Sequence, residues 1–463
     1  EIMPSLVGSE MCIRDRHNKC DRRERNWAYM HRRCAGPIGI GQKVIVRETL
    51  PNGVKLIAQE MTGFRSVSMA VWIQAGSVYE IGAESGISHF IEHMVFKGTE
   101  SRSASDIAAE MDAVGGSINA YTAKECTCFY AKVLGENIDL AADMLSDIAC
   151  RPSLDPADIE REKGVVCEEI LMLEDDPEDL AHETLSAVIY GDSPLARPIL
   201  GTQDTVRAFT RDDILSYMDK RYVPQNMVVS CAGNFKMEEL RAAVNKRFDR
   251  RGRGDSYVPP KNQLIKEKRF KAVEKDIEQV HICLGFPGFP GDTEEQFALL
   301  VLNNALGGSM SSRLFQKIRE EHGMAYSVYS YPTSYSDTGY FTLYAGTGEK
   351  QAAKVVELML REIDSVKKDG ITKEEFARSK QQLKGNYLLG LESTASRSSS
   401  LGRGELRGRI YTDEELIRRI EGVTMESVQD IIPRVLDTER MAGAFVGRVN
   451  KRETEVKRIF ETA

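Results

Sequence analysis

The most informative segment of the sequence is residues 85–98, which read SGISHFIEHMVFKG. Apolar residues recur there at intervals of three and four, a pattern that predicts the buried stripe of an amphipathic helix. They are Ile87, Phe90, Ile91, Met94 and Val95. At about 100° per residue, His89, Glu92 and His93 project together from the opposite face. One helical face therefore presents two imidazoles and a carboxylate.

The spacing of these three side chains is typical of a metal site. Histidines one turn apart can hold a single zinc ion, and the glutamate between them then faces its open coordination position. The pattern H-x-x-E-H is the signature of inverzincin metallopeptidases. A solvated helix face with incidental histidines is the alternative, which is disfavoured because the whole chain has only seven histidines.

A catalytic zinc ion needs a third protein ligand, and the helical segment at 156–174 is rich in acidic residues. Glu162 and Glu169 lie seven residues apart, so they share one face of that helix. One of these carboxylates can bind the metal while the other orients a ligand. Solvated surface acids are the alternative interpretation of the same spacing.

The flanking sequence mixes helices and strands. Strand-rich runs around Pro51-Asn52-Gly53 predict a hairpin, and a further strand is predicted at 66–77. Helical periods follow at 84–97, 103–114, 136–149 and 156–174, with a strand-like run at 117–134. Because helices and strands do not strictly alternate, the pattern favours α+β sheets with helices on one face over a doubly wound parallel sheet.

The chain is predicted to contain a duplication. Residues 250–268 combine glycine, paired prolines and dense charge, which is typical of a linker. Beyond them the order of elements recurs, and the helix starts at residues 156 and 373 lie 217 residues apart. We therefore predict two homologous halves, a zinc-binding catalytic half at 43–249 and a half without metal at 269–463. Chance similarity between two amphipathic helices is the alternative.

The first 42 residues are predicted to be a non-native or disordered leader. Residues 6–16, LVGSEMCIRDR, resemble translated adapter DNA from a sequencing library, and residues 17–33 show no sustained period. A transit peptide is disfavoured by Asp21 and Glu24, because such peptides are poor in acidic residues.

Composition limits the possible partners and compartments. A net charge of -8 disfavours nucleic acid as a partner. The sequence contains no stretch of eighteen or more apolar residues, so membrane insertion is not predicted. The nine cysteines include no C-x-x-C pair, and no apolar signal core lies near the start. We therefore predict a bacterial-like cytoplasm, with the mitochondrial matrix as the alternative.

From about Val44 to its C-terminus, the chain resembles the pitrilysin or insulinase-like family of metallopeptidases. Within that family it is similar to short members such as the mitochondrial processing peptidase β-subunit and its bacterial relatives. The matching segments are SHFIEHMVFKGT, GGSINAYTAKECTCFYAKVL, IEREKGVVCEEI, PLARPILGT and GGSMSSRLFQKIREEHGMAYSVYS. The resemblance implies two homologous α+β halves that form a clamshell, each a mainly antiparallel sheet with helices packed on one face.

The resemblance also implies roles for the residues of the first half. One zinc ion per chain would be bound by His89, His93 and Glu169. Glu92 would be the general base, and Glu162 would support the site. Zinc is preferred over manganese and cobalt, because two imidazoles and one carboxylate suit it.

Substrate binding is implied for two further places. Arg319 and Tyr326 would hold substrate carbonyls and help to stabilise the tetrahedral intermediate. Asn119 and Ala120 match the family's edge strand, which captures an extended peptide through main-chain hydrogen bonds.

These expectations describe a zinc-dependent endopeptidase that hydrolyses unfolded or short peptides, or presequence-like segments, in a closed chamber. A homodimer is expected, with a heteromeric partner as the alternative. Two rival hypotheses are a catalytically silent structural or substrate-binding subunit of a processing or respiratory complex, and a metal-dependent hydrolase of another substrate class. His182, His281 and His322 are expected to be core, surface or turn residues.

Overall fold

A computed structural model describes residues 44–248, 254, 258–291, 293–448 and 453–462. The predicted leader at 1–42 lies outside the described residues, as does part of the predicted linker at 250–268. None of the helices in these described ranges is long and apolar enough to cross a bilayer.

The first half is built on a six-stranded sheet. Its strands are β1 (Val46–Thr49), β2 (Lys55–Glu60), β3 (Ser66–Ile73), β4 (Ser117–Thr122), β5 (Thr127–Leu134) and β6 (Met227–Gly233). Its helices are α1 (Ile87–Val95), α2 (Ala104–Ala113), α3 (Ile138–Cys150), α4 (Pro156–Asp175), α5 (Pro177–Tyr190), α6 (Gln203–Ala208), α7 (Arg211–Arg221) and α8 (Met237–Arg247). The strand order is β1-β2-β6-β3-β5-β4, and all neighbours are antiparallel except β2 and β6. Strand β4 therefore forms one edge of the sheet.

The second half is built on a five-stranded sheet. Its strands are β7 (Arg269–Glu274), β8 (Gln279–Pro287), β9 (Ala325–Ser334), β10 (Gly339–Gly348) and β11 (Ala442–Gly447). Its α-helices are α9 (Glu294–Leu306), α10 (Ala352–Asp369), α11 (Lys373–Gly390), α12 (Thr394–Leu406), α13 (Asp413–Gly422), α14 (Met425–Val435) and α15 (Glu453–Thr462), and a π-helical segment covers Phe315–Glu321. The strand order is β7-β11-β8-β10-β9, and only β7 and β11 are parallel.

The two halves repeat one topology. The order β2-β6-β3-β5-β4 in the first sheet corresponds strand by strand to β7-β11-β8-β10-β9 in the second, including the position of the parallel pair. Helices α4 and α11 begin at residues 156 and 373, the two starts predicted from the sequence. The predicted α+β fold with two homologous halves is therefore confirmed.

Most predicted elements of the first half occur in the structure. The helices predicted at 84–97, 103–114, 136–149 and 156–174 are α1 to α4, and the predicted hairpin joins β1 to β2. The strand-like run at 117–134 forms two strands, β4 and β5. Ala123 donates its backbone N–H to the carbonyl of Cys126, and this turn folds the run into the β4–β5 hairpin.

Apart from α5 and α12, the helices that pack on each sheet come from the same half and lie on one face, and a helix from the other half covers the second face. The buried stripe of α1 packs in the core of the first half together with Phe129, Ala131 and Val133 of β5. On the opposite face of this sheet, α12 packs against β2, β3 and β6. Reciprocally, α5 packs against β8 and β11 of the second sheet. The exchange of helices ties the halves together.

Candidate metal centre

Helix α1 begins at a point packed tightly against Leu200 and Gly201. Gly86 precedes it with a φ of 91°, and a Cβ atom there would lie 2.5 Å from the carbonyl oxygen of Leu200. Only glycine accepts both conditions readily. The buried carboxylate of Glu80 accepts the backbone N–H groups of Gly86 and Ser88, at 2.7 and 3.0 Å. These contacts fix the first turn of the helix that carries the predicted metal ligands.

The three predicted ligands lie together between α1 and α4. Glu169 Oε2 lies 3.2 Å from His93 Nε2 and 3.6 Å from His89 Nε2. One possible ligand atom from each of the three residues lies within 4.8 Å of the others. The ring centroids of the two histidines are 4.7 Å apart. Two helices far apart in sequence thus bring two imidazoles and a carboxylate to one point.

Glu162 holds the other side of the His93 ring. Its Oε1 lies 2.8 Å from His93 Nδ1, and its Oε2 lies 2.8 Å from Lys97 Nζ. An ionised carboxylate only accepts hydrogen bonds, so Nδ1 of His93 carries the proton and donates it to Glu162. This contact points Nε2 of the same ring at Glu169. Such a contact is how proteins commonly orient a metal-binding imidazole.

This group of side chains suits a zinc ion. Glu169 Oε2 is buried and has no hydrogen-bond partner of good geometry among the residues that the structure describes. A cation held between this oxygen and the two Nε2 atoms would satisfy it. Two histidines and one carboxylate also form a ligand set that catalytic zinc commonly uses, with the fourth position left for water or substrate.

The pKa shifts in the cluster follow its charges. Burial lowers the pKa of His89, and the neighbouring His93 lowers it further. Burial also opposes the charged form of His93, but its contacts with Glu162 and Glu169 outweigh burial and raise its pKa. The contact with His93 lowers the pKa of Glu169. Glu169 therefore stays ionised near neutral pH, which is the form that binds a cation.

Glu92 occupies the same turn of α1 and is bound to the edge of the sheet. Thr122, the last residue of β4, donates its hydroxyl to Glu92 Oε2 at 2.6 Å. Burial raises the pKa of Glu92, whereas the hydrogen bond from Thr122 lowers it. The carboxylate is thus partly shielded from water and has a fixed orientation beside the three predicted ligands.

The predicted substrate strand is the edge strand β4. Asn119 and Ala120 lie in its middle, paired with Tyr130 and Phe129 of β5. The backbone N–H of Ala120 donates to the side-chain oxygen of Asn119 at 2.8 Å, so its partner is local and exposed. This N–H can exchange its bond to Asn119 for a hydrogen bond to a backbone carbonyl of an incoming extended chain. The strand ends at Thr122, beside Glu92.

Arg319 and Tyr326 contact each other but do not join this cluster. Nη1 of Arg319 donates to the carbonyl of Tyr326 at 2.9 Å, and its guanidinium lies 4.6 Å from the centre of the tyrosine ring. The Tyr326 side chain is exposed. Within the described ranges, no hydrogen bond, ion pair or ring contact links either residue to the histidine cluster.

The remaining described histidines lie elsewhere. His182 of α5 is bracketed by the hydroxyls of Tyr329 and Tyr331, at 3.0 and 2.8 Å, where α5 meets the second sheet. His281 contacts the Tyr344 hydroxyl at 2.8 Å, and His322 is exposed. These three are the core and surface residues that the sequence analysis expected.

Sequence reasoning missed three residues that hold the site. Glu80 caps α1, Thr122 binds Glu92, and Lys97 binds Glu162. Lys97 could have been found, because it follows His93 by four residues and so lies one helical turn further along. No local signal marks Thr122 or Glu80, because their partners depend on how the sheet and helix pack.

Two family models match the chain. The model described as "Insulinase (Peptidase family M16)" matches residues 56–203, and the model described as "Peptidase M16 inactive domain" matches residues 208–383. The H-x-x-E-H pattern lies within the first match, and the second contains none.

Two curated bacterial proteins are similar to the chain over most of its length. The "Uncharacterized zinc protease YmxG" of Bacillus subtilis is 43% identical over 87% of this chain and 98% of its own length. An uncharacterized zinc protease of Streptomyces coelicolor is 39% identical over 87% of this chain and 89% of its own length.

Solved structures share the fold. A protease from Helicobacter pylori matches with a TM-score of 0.82 at 20% identity, covering 87% of this chain and 99% of its own. A Pseudomonas fluorescens structure described as a peptidase M16 inactive domain matches with a TM-score of 0.81 at 19% identity, covering 88% of this chain and 98% of its own.

Proposed function

The chain belongs to peptidase family M16, the insulinase family, and on this basis we propose that it is a zinc-dependent endopeptidase with one zinc ion per chain. The observation that carries the proposal is the convergence of His89, His93 and Glu169, with Glu92 on the same helical turn as the histidines. These are the groups that zinc-dependent hydrolysis of a peptide bond requires.

We assign the metal ligands to His89, His93 and Glu169. A zinc ion bound there supplies a Lewis acid that polarises a carbonyl and makes water more acidic. Glu162 acts as a positioning residue, because its buried carboxylate holds Nδ1–H of His93 and so aims Nε2 at the metal position.

Glu92 is the proposed general base. It takes a proton from the water that attacks the peptide carbonyl and returns it to the leaving amine. Thr122 keeps its Oε2 in place. Its partly buried position keeps competing water away and holds its pKa above that of a fully exposed glutamate.

Substrates are proposed to be unfolded or short peptides, including presequence-like segments. An extended chain pairs with the edge of β4 through main-chain groups such as the N–H of Ala120, and Asn119 releases that N–H on binding. Pairing of this kind brings a backbone carbonyl past Thr122 towards Glu92 and tolerates many side chains.

Arg319 and Tyr326 are proposed to hold substrate carbonyls in a closed chamber. Because neither contacts His89, His93 or Glu169 within the described part of its own chain, a second copy of the chain is the proposed source of these groups. We therefore propose a homodimer. A bacterial cytoplasm stays the predicted compartment.

The rival function is a catalytically silent subunit. The description "inactive domain" for residues 208–383 supports it, and the second half has no H-x-x-E-H pattern. The first half, however, keeps both histidines, the glutamate between them and Glu169 in contact. This complete set favours the enzyme.

Zinc content and peptide cleavage test the proposal. We expect the purified chain to hold one zinc ion and to cleave an unstructured, basic, fluorescence-quenched peptide. A chelator should abolish cleavage, and added zinc should restore it. Bound zinc without cleavage of any unfolded peptide would favour the silent subunit instead.

A further inference from the structure

We propose that Lys97 is a positioning residue of the metal centre, whose ammonium group holds Glu162 in the orientation that aims His93 at the metal. The inference rests on the proposed function, since it concerns the same site. It assigns a role to a residue outside the H-x-x-E-H pattern and outside the predicted ligand set.

The backbone of Lys97 has a fixed place. The residue follows the end of α1 at Val95, and its N–H donates to the carbonyl of Met94 at 3.1 Å, so the chain makes one further turn. The ammonium then lies 2.8 Å from Glu162 Oε2. The lysine stem spans from α1 to α4 and ends on a buried carboxylate.

Glu162 has a different partner on each oxygen. Its side chain is only 4% exposed, with Oε1 on His93 Nδ1 and Oε2 on Lys97 Nζ. A buried carboxylate is costly unless its oxygens are paired. Removal of the ammonium leaves Oε2 buried without this partner. Rotation of the carboxylate away from His93 then becomes favourable, because it can bring Oε2 to another donor or to water.

The orientation of His93 depends on that carboxylate. While Oε1 accepts from Nδ1–H, the ring keeps one tautomer and points Nε2 at Glu169, 3.2 Å away. If the Glu162 carboxylate rotates, neither the tautomer nor the orientation of the His93 ring is fixed any longer. Lys97 therefore acts on the metal position through two successive contacts.

Direct binding of substrate is a different role that Lys97 could have, because its side chain is 36% exposed. The ammonium, however, is already engaged by a buried carboxylate. A substrate carboxylate would compete with Glu162 for it. The two roles predict different measurements, since one changes metal binding and the other changes KM alone.

A matched control is available on α4. Lys163 directly follows Glu162, but its ammonium pairs with Glu160 at 2.7 Å rather than with Glu162. The variants Lys97→Met and Lys163→Met remove the same charge from two neighbouring sites. Lys97→Arg keeps a cation that can donate to Glu162.

The experiment measures the zinc dissociation constant of each full-length variant with a competing chelator, and the visible spectrum of each cobalt-substituted protein. Lys97→Met is expected to weaken zinc binding by up to about tenfold, the lower end of the roughly 10–100-fold effect of losing a residue that contacts a ligand directly, because Lys97 acts through Glu162. Its cobalt spectrum should also change. Lys97→Arg should restore most of the affinity, and Lys163→Met should match the parent.

Several results would overturn the inference. Unchanged zinc affinity and cobalt spectrum in Lys97→Met would do so, as would a rise in KM with both metal readouts unchanged. Should Lys97→Met fail to fold, Lys97→Gln decides the question, and loss of folding in both would contradict a role confined to the metal centre.

The outcome is separable from that of the proposed function. A parent protein that cleaves no peptide would sink the proposed peptidase, while the zinc and cobalt readouts would still report on Lys97. An active parent with metal readouts indifferent to Lys97→Met would leave the peptidase in place and remove only this inference.

Discussion

The hydroxyl of Thr122 donates a 2.6 Å hydrogen bond to Oε2 of Glu92. This contact joins the last residue of the edge strand β4 to α1, the helix that carries His89 and His93. The strand proposed to bind substrate and the proposed general base are therefore held in one fixed relation. Under the proposed function, a peptide paired with β4 would enter the site in register with the base.

Removal of that hydroxyl should weaken the base without removing the metal. The variant Thr122→Val is expected to lower kcat roughly tenfold, equivalent to about 1.5 kcal/mol for a hydrogen bond to a charged group. The bond lowers the pKa of Glu92, so its loss raises that pKa further. Because the base acts in its ionised form, the acidic limb of the kcat/KM profile should move to higher pH.

The pH profile of kcat/KM checks this expectation. Thr122→Ser keeps a hydroxyl and serves as the control. An acidic limb at the same pH in Thr122→Val and the parent would argue against Glu92 as the base.

Glu169 should be needed for metal binding rather than for folding. Its side chain is 42% exposed and bears the oxygen nearest to both histidines. Glu169→Gln removes the charge and should weaken zinc binding by more than the roughly 10–100-fold expected for an outer partner. Chelator competition measures the affinity. Glu168→Gln, one position away on an exposed part of α4, should leave it unchanged.

Substrate capture should depend on the main chain of β4. Ala120→Pro removes the N–H that donates to Asn119, at an edge where proline is tolerated. We expect KM for an unstructured peptide to rise while zinc content stays at the parent value. Ala120→Ser keeps the N–H and should behave as the parent does. Equal KM in both variants would rule out pairing through this group.

The interlocking of the halves predicts a local limit on side-chain size. A Cβ atom on Gly402 of α12 would lie 2.0 Å from Nε1 of Trp72 in the first sheet. Gly402→Ala should therefore destabilise the protein by about 1–3 kcal/mol through overpacking. In α11, Gly385 has nothing within 4 Å of such an atom. Gly385→Ala should be neutral or stabilising by up to about 1 kcal/mol.

Denaturant midpoints measure both changes. Because alanine favours a helix over glycine at either position, the difference between the two variants isolates the contact with Trp72. Equal midpoints would mean that α12 does not pack on the first sheet as described.

The spacing of residues along two helices predicted which faces carry His89, His93 and Glu169, and the structure brings those faces together. The stripe from Ile87 to Val95 defined the buried face of α1, and the spacing of Glu162 and Glu169 placed both on one face of α4. A repeat of 3.6 residues contains that information. Contact between the two helices could not be derived from either period and came from the family resemblance.

Contacts between the halves were beyond sequence reasoning for a physical reason. Nothing in the period of α5 or α12 says that each covers the sheet of the other half. The partners of Thr122 and Glu80 likewise depend on the packing of α1 against the sheet. The local sequence patterns around these residues are compatible with several folds, so they do not determine which residues make contact.

The most direct test of the account compares the parent chain with Glu92→Gln for zinc content and for cleavage of an unstructured basic peptide. The account predicts one zinc ion in both proteins, cleavage by the parent, and a rate at least about 100-fold lower in the variant, the minimum for loss of a general base. Cleavage by Glu92→Gln at the parent rate, with zinc bound, would contradict it.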